Sequence, residues 1–392
     1  MTVSNISPGA APRGADIADQ DPFLSAMLDR RRTRIAGGAY HPISEAAIGE
    51  KLQRLFAAHG KPAARAEDIR RMAGGASKEQ FVFTYVDETA GGREKLVLRM
   101  DPTDGVLETS RERECEVIEA VSAVVPVPEI RFRDLEGQWL GGTGMVATFV
   151  GGVTKPSDAA SGVTGLGTGF TPVWREQLTP RFIETLVKIH GIDFTTVALA
   201  HFGVPDADPV QAALWRVNHW ARVWREDACE PLPIFALVES WLRENLPTCD
   251  DLVLLHGDYR TGNYLFDEAT AEITCVLDWE AAHIGDFHED LAWSLVRIFG
   301  SRDADGAYLC SSLMTIDELV ARYEGATGRT VNRKTLHFYR VLQAWSTVAM
   351  CATGLRAARA HHNHQDILLT WLSMVTPSLV DELVDLLLED IQ

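Results

Sequence analysis

A change of pattern near residue 150 constrains this chain more than any other feature, because its two sides call for different secondary structure. On the N-terminal side, runs rich in aromatic and β-branched residues at Gln80 to Val86 and Lys95 to Met100 flank Ala90-Gly91-Gly92, a turn composition suited to an antiparallel hairpin. Further short strands are expected at Glu129 to Phe132 and Met145 to Val150. Two helices accompany them. One follows Ser44 with Ile48, Leu52, Leu55 and Phe56 at helical spacing and closes at Gly60 and Pro62; the other runs from Arg111 to Val121 and stops before Pro126-Val127-Pro128. Gly151 to Pro172 is dense in Gly, Ser and Thr, the composition of a long loop. Beyond it the periodicity is helical (Phe182 to His190, Leu214 to Trp224, Phe235 to Leu246, and everything from Asp317 onward). It is interrupted by short strands only at Leu252 to Leu255, Tyr264 to Phe266 and Ile273 to Leu277. The expected architecture is α+β and bilobal: an extension over 1–43, a small antiparallel-sheet lobe over 44–150, a larger mainly helical lobe over 151–392, and a cleft between the lobes.

Composition narrows the function. Hydrophobic residues at 46% and charged residues at 23% describe a globular chain. The excess of 55 Asp and Glu over 37 Lys and Arg, a net charge of −18, disfavours binding to nucleic acid or anionic membrane through counterion release. The six cysteines form no CxxC pair and read as reduced, mostly buried thiols. The N-terminus lacks the order of a signal peptide, and no uninterrupted apolar run reaches about 18 residues, so a cytoplasmic location is expected. Arg30, Arg31, Arg32 and Arg34 make a basic knot in this acidic chain, read here as a solvated helix face rather than a nucleic-acid contact.

The chemistry is concentrated in Leu255-His256-Gly257-Asp258-Tyr259-Arg260-Thr261-Gly262-Asn263 and in Cys275-Val276-Leu277-Asp278-Trp279-Glu280. Asp258 follows an apolar run and would project from the end of a buried strand, with Gly257 and Gly262 permitting the bends beside it. Asn263 offers a neutral hard oxygen suited to Mg²⁺, and Asp278, at the end of the next apolar strand, offers an anionic one. Phosphoryl transfer needs such a set: a carboxylate to orient a hydroxyl and two oxygen ligands to hold Mg²⁺ against the phosphates. The spacing D-x-x-x-x-N is that of a kinase catalytic loop.

With Gly285-Asp286 and Asp290-Leu291-Ala292-Trp293 added, the series resembles the aminoglycoside phosphotransferase and choline kinase-like family, whose members share the protein kinase-like fold. It looks most like the branch related to the kinase-like part of acyl-CoA dehydrogenase fusion proteins. The resemblance implies ATP (or GTP) and Mg²⁺ as cofactors and a small-molecule hydroxyl as acceptor. It makes Asp258 the catalytic base, Asn263 and Asp278 the metal ligands, and His256 and Asp286 structural supports. It also places Gly74-Gly75-Ala76-Ser77 at the phosphate-covering loop and Arg99 at the phosphate-binding lysine. Glu114 becomes the helix partner of Arg99, and Ala147, Thr148 and Phe149 the adenine-binding connection. The chain departs from the pattern twice, since Gly74 to Ser77 is not G-x-G-x-x-G and Arg99 replaces Lys; a guanidinium still neutralises phosphate, bidentately.

The same residues allow other readings. His283, Asp286, His288 and Asp290 could be drawn as a zinc-type cluster, as could His361, His362 and His364, though structural pairing and a polar loop are the commoner outcomes. A catalytically inactive nucleotide-binding module is the alternative to a kinase, and a metal-dependent hydrolase built on His256, Asp258 and the His283 group is the third. For the kinase, the acceptor could be a metabolic hydroxyl compound such as a hydroxyacyl thioester, or a hydroxylated antibiotic such as an aminoglycoside. The loop Gly151 to Pro172 is expected to overlie the acceptor pocket.

Overall fold

The computed structural model describes residues 19–36, 38–72, 77–89, 91–159, 168–206 and 208–389. After helix α1 (Pro22–Ile35), helix α2 (Glu45–Ala58) and five strands form the smaller lobe: β1 (Arg65–Arg71), β2 (Glu79–Asp87), β3 (Gly92–Met100), β4 (Ile130–Asp134) and β5 (Gly144–Thr148), with α3 (Arg111–Val121) between β3 and β4. The sheet order is β1-β2-β3-β5-β4, antiparallel at every pairing. Ser44 caps α2, its hydroxyl accepting from the Ala47 N–H. The apolar stripe Ile48, Leu52, Leu55 and Phe56 is then buried against Phe81, Phe83, Leu96 and Leu98. Strand β1 was not expected. Its sequence, RAEDIRR, is mostly charged, and it is an edge strand whose Ile69 and Ala66 alone pack on that core; pairing with β2 outweighs its poor intrinsic strand preference.

The larger lobe contains α4 (Pro172–His190), α5 (Gln211–Asp227), α6 (Pro233–Glu244), β6 (Leu252–Leu255), β7 (Tyr264–Phe266), β8 (Ile273–Val276), β9 (His283–Asp286) and α7 (His288–Ser294). It continues through β10 (Ser301–Arg302), β11 (Tyr308–Leu309), α8 (Ile316–Thr327), α9 (Arg333–Arg359), α10 (Asp366–Ser373) and α11 (Thr376–Glu389). Helix α9, 27 residues long, is the axis of this lobe: Trp345 stacks on Phe235 at 4.4 Å, and Phe235 stacks on Trp224 at 4.0 Å. Two small ribbons, β6 with β9 and β7 with β8, carry the chemistry-bearing loops. Strands β9, β10 and β11 are additions to the sequence reading; each is four residues or fewer, too short to show a period. The segment Asp366–Glu389 matches a membrane-crossing helix in length and composition. In the fold it is broken between α10 and α11, and Leu379, Leu383 and Leu386 are fully buried.

The basic knot is a solvated face for Arg30, Arg32 and Arg34, which are exposed, but not for Arg31. Arg31 is buried, with Nε 3.2 Å from Asp104 in the β3–α3 connection and Nη2 2.7 Å from Asp227 at the end of α5. Arg356 from the end of α9 pairs with the same two carboxylates, reaching Asp227 at 2.9 Å. Arg32 meets Glu226 at 2.5 Å and Arg34 meets Glu108 at 2.5 Å. The histidines after α9 join this junction through their backbone: the Asp104 N–H donates to the His362 carbonyl, and the Tyr40 N–H to that of His361. Helix α1 thus staples the two lobes behind the cleft, which the sequence could not show because the acids lie 73 and 196 positions away. Removing one member of a buried ionic network leaves uncompensated charge, whereas a half-exposed pair contributes little. Arg31→Ala is therefore expected to lower stability by about 3 kcal/mol, and Arg32→Ala by less than about 1 kcal/mol, as read from denaturant midpoints.

Candidate active site

Strand β6 delivers the chain to a turn that only glycine tolerates. Gly257 has φ +78°, and a Cβ there would fall onto the carbonyl oxygen of Ala281. The turn is held from below by Asp290 on α7, whose two oxygens separately accept the N–H groups of His256 and Gly257, both at 2.8 Å. His190 approaches the same carboxylate at 3.1 Å. Burial alone would push the Asp290 carboxyl up, but His190, His256 and these N–H groups outweigh it and hold it below the usual range. The Nδ1 of His256 accepts from the Asp258 N–H at 3.2 Å, so its Nε2 carries the hydrogen donated to the Leu277 carbonyl at 2.9 Å. Burial lowers the pKa of this imidazole, in keeping with a neutral brace.

On this frame the Asp258 carboxylate, 24% exposed, stands at the mouth of the cleft. Its Oδ1 receives Arg260 Nε at 2.9 Å and Trp293 Nε1 at 2.6 Å. The Asn263 amide donates to the Asp258 carbonyl at 2.8 Å, which orients its own oxygen, and the Leu277 N–H donates to the Asn263 carbonyl at 2.8 Å. That last bond draws the end of β8 beside Asn263. The next residue, Asp278, has φ 59° and ψ 55°, a left-handed conformation uncommon for a side-chain-bearing residue, and leaves its carboxylate 40% exposed.

The small lobe answers with cations. Arg99 on β3 places Nη1 3.1 Å from Glu114 on α3 and Nη2 2.7 Å from Asp278 across the cleft. Glu114 is shared with Arg111 at 2.5 Å, and Arg111 also meets Asp101 at 2.5 Å. Lys78, at the entry to β2, lies 2.8 Å from Asp101 and 3.3 Å from Glu280 and bonds Thr109. Burial opposes the charge on both cations; Glu114 and Asp278 raise the pKa of Arg99 despite it, and Asp101 and Glu280 do the same for Lys78. Burial would raise Asp278, but Arg99 brings it below the usual carboxylate range. Glu280, buried and next to Asp278, is held above that range.

Asp258, Asn263, Asp278, Arg99, Glu114 and His256 therefore meet at one place. The Asp286 carboxylate is not bonded to the His256–Asn263 loop: it takes the His288 N–H at 3.0 Å and Nδ1 at 2.6 Å, fixing the start of α7, and the loop is held by Asp290. The Thr148 and Phe149 N–H groups are committed to the carbonyls of Glu129 and Lys95, so reading of a base by Ala147 to Phe149 falls to carbonyls or to the chain beyond. Of the phosphate-covering loop only Ser77 lies within the described residues, as do only the two flanks of the loop expected over the acceptor; Val153 and Ser157 fasten its first flank to Phe266 and Glu268. Lys78, Glu280, Arg260 and Trp293 were given no role from sequence. The one signal available was their adjacency to named motif residues.

Among the described residues no group of three or more His, Cys, Asp and Glu side chains is gathered to hold a metal. His283 is spent on Glu289 at 3.1 Å and on the Ala281 carbonyl at 3.0 Å. The donors at the cleft do fit a nucleotide with a hard cation. Among the described residues Arg99 Nε is a buried donor with no hydrogen-bond partner, and Glu280 Oε2 is a buried acceptor that meets Lys78 only as a long ion pair. An anionic phosphate and an oxygen-seeking cation would satisfy both.

Glu289, beside Asp290 on α7, supplies a pH test of the frame. Burial pushes it up, but Arg216 at 2.8 Å and His283 outweigh this and hold it at about 2. A folded-state pKa below the unfolded one gives stability that is complete above about pH 4.5 and is lost as the pH falls towards 2. The expected outcome is a drop of roughly 3 kcal/mol across that window. Glu289→Gln should be less stable at neutral pH and show a shallower acid limb in pH-dependent melts.

With the geometry in place, comparison with known proteins is direct. Residues 68–330 match the model of the phosphotransferase enzyme family. The chain is 27% identical over 242 residues to mouse acyl-CoA dehydrogenase family member 10, covering 58% of this chain and 21% of that protein. It is 29% identical over 258 residues to chicken acyl-CoA dehydrogenase family member 11, covering 65% and 31%. The chain thus spans about a fifth to a third of the length of these curated relatives. Among solved structures, a Ralstonia eutropha protein assigned to the aminoglycoside phosphotransferases superposes with a TM-score of 0.63 at 18% identity, covering 86% of this chain and 97% of that one. Macrolide 2'-phosphotransferase type I gives 0.56 at 19%, covering 86% and 98%. These structures share the bilobal α+β fold, and since the family model spans well over half of the sequence, the chain belongs to the phosphotransferase enzyme family.

Proposed function

We propose that this protein transfers the γ-phosphoryl group of ATP to the hydroxyl of a small molecule, at the cleft where Asp258, Asn263, Asp278 and Arg99 converge. The observation that carries the reading is the bridge from Glu114 through Arg99 to Asp278, which puts a fixed guanidinium beside a proposed metal ligand. Asp258 would orient the acceptor hydroxyl and take its proton while the oxygen bonds to phosphorus and the bond to the departing ADP breaks. Arg99 would neutralise the phosphates, its Nε, which has no partner among the described residues, becoming a further donor to them. Asn263 and Asp278, with Glu280 adjacent, would hold Mg²⁺, which when bound offsets phosphate charge. GTP could serve the same cleft, because nothing in this chemistry selects the base.

For the acceptor we favour a hydroxyacyl thioester. The chain shows 27% and 29% identity to proteins named for acyl-CoA dehydrogenases, but only 18% and 19% to structures named for aminoglycoside and macrolide phosphotransferases, which speak for fold alone. The antibiotic reading has the acidic charge balance in its favour, and that balance bears on solubility as much as on ligands. Incubation with Mg-ATP and a pool of hydroxyacyl-CoAs, amino alcohols, aminoglycosides and macrolides, read by mass spectrometry, is expected to add a phosphate mass to a hydroxyacyl-CoA. The Asp258→Asn protein should lose that product by at least about a thousandfold. A phosphorylated antibiotic would overturn the acceptor, and full activity of Asp258→Asn would overturn the site.

A further inference from the structure

We infer that Arg260 and Trp293 are positioning residues for the transfer, a two-donor clamp on one oxygen of Asp258 that presents the other oxygen to the acceptor hydroxyl. The inference rests on the reading of Asp258 as the base. Both donors, Arg260 Nε at 2.9 Å and Trp293 Nε1 at 2.6 Å, converge on Oδ1, and among the described residues no hydrogen bond reaches Oδ2. A carboxylate bonded through one oxygen by two fixed donors has its plane and rotamer set, so the remaining oxygen has one direction to face.

The donors are themselves immobilised on a shared floor. The Arg260 guanidinium lies 4.5 Å above the ring of buried Phe299, and the Trp293 ring sits 5.0 Å from it. Arg260 Nη1 also donates to the Thr261 carbonyl at 3.2 Å. Thr261 in turn is tied through its hydroxyl to the Ser311 carbonyl at 2.6 Å. Ser311 and Ser312 are both buried at positive φ, 46° and 61°, a costly conformation that persists only where its surroundings over-determine it.

In phosphoryl transfer through a loose transition state little proton transfer is needed early, and orientation of the hydroxyl matters more. The clamp serves that orientation. The step it serves is balanced: the hydroxyl proton passes to Oδ2, the oxygen's electron pair forms the new bond to phosphorus, and the bond to the leaving ADP oxygen breaks with its pair on ADP.

The test uses the full-length protein with ¹⁵N-labelled tryptophan, the Trp293 indole signal being identified by its loss in Trp293→Phe. The expected result is an indole N–H displaced downfield by its short bond to a carboxylate, which moves when Asp258→Asn is introduced while Mg-ATP still binds. A Trp293 signal indifferent to Asp258→Asn overturns the clamp. In Mg-ATP hydrolysis with water as acceptor, Trp293→Phe and Arg260→Ala should each lower kcat by roughly tenfold with KM for Mg-ATP within about twofold, Arg260→Lys recovering part of the loss. Wild-type kcat in both, with Asp258→Asn inactive, overturns this inference alone. Wild-type kcat in Asp258→Asn overturns the reading it rests on.

Discussion

The cleft depends on one largely buried guanidinium. Arg99 stands in the middle strand of a five-stranded sheet, its ladder partners being Gln80 on one side and Met145 on the other, so its backbone cannot shift without the sheet. Its side chain joins Glu114 of the small lobe to Asp278 of the large one. A charge removed from water is tolerated only when paired and hydrogen-bonded, and here the pairing partners are the residues that set lobe geometry and the proposed metal site. Lys instead of Arg would offer a point charge; the planar fork lets one side chain contact both lobes at once and still hold Nε in reserve.

The rest of the molecule keeps that junction in register. Behind the cleft, Arg31 and Arg356 share Asp104 and Asp227 and so bind the β3–α3 connection to the large lobe. Beneath it, Asp290 collects two backbone N–H groups that a tight turn would otherwise leave buried and unpaired. These are the same device at two scales: buried carboxylates organise backbone or cations that come from distant parts of the chain.

Much of this was legible in the sequence. Asp258 and Asp278 could be singled out because each follows an apolar run, Asn263 because it stands five positions after Asp258 in a D-x-x-x-x-N spacing, and the strand-to-helix switch near residue 150 announced two lobes. Strand β1 was missed because edge pairing, not composition, makes it a strand. The Arg31 staple was missed because ion pairs between residues nearly 200 positions apart leave no local pattern, and a run of arginines looks the same whether its partners are protein acids or solvent. Asp286 and Asp290 were both read as structural, but which of them holds the catalytic loop is set by the start of α7, a helix of seven residues. Arg260 and Trp293 stood inside the motifs, yet their convergence on one carboxylate oxygen needs β6 and α7 to be packed together before it exists.

The most direct measurement of the central claim, that the cleft organised by Arg99 is where nucleotide binds and reacts, is calorimetric titration of Mg-ATP into the wild-type protein and Arg99→Ala, with melts confirming that both are folded. The account predicts saturable binding to the wild type and at least roughly tenfold weaker binding to Arg99→Ala, the loss of a charge-assisted bidentate contact. Equal affinity in the two proteins would contradict it and would move the nucleotide away from Arg99.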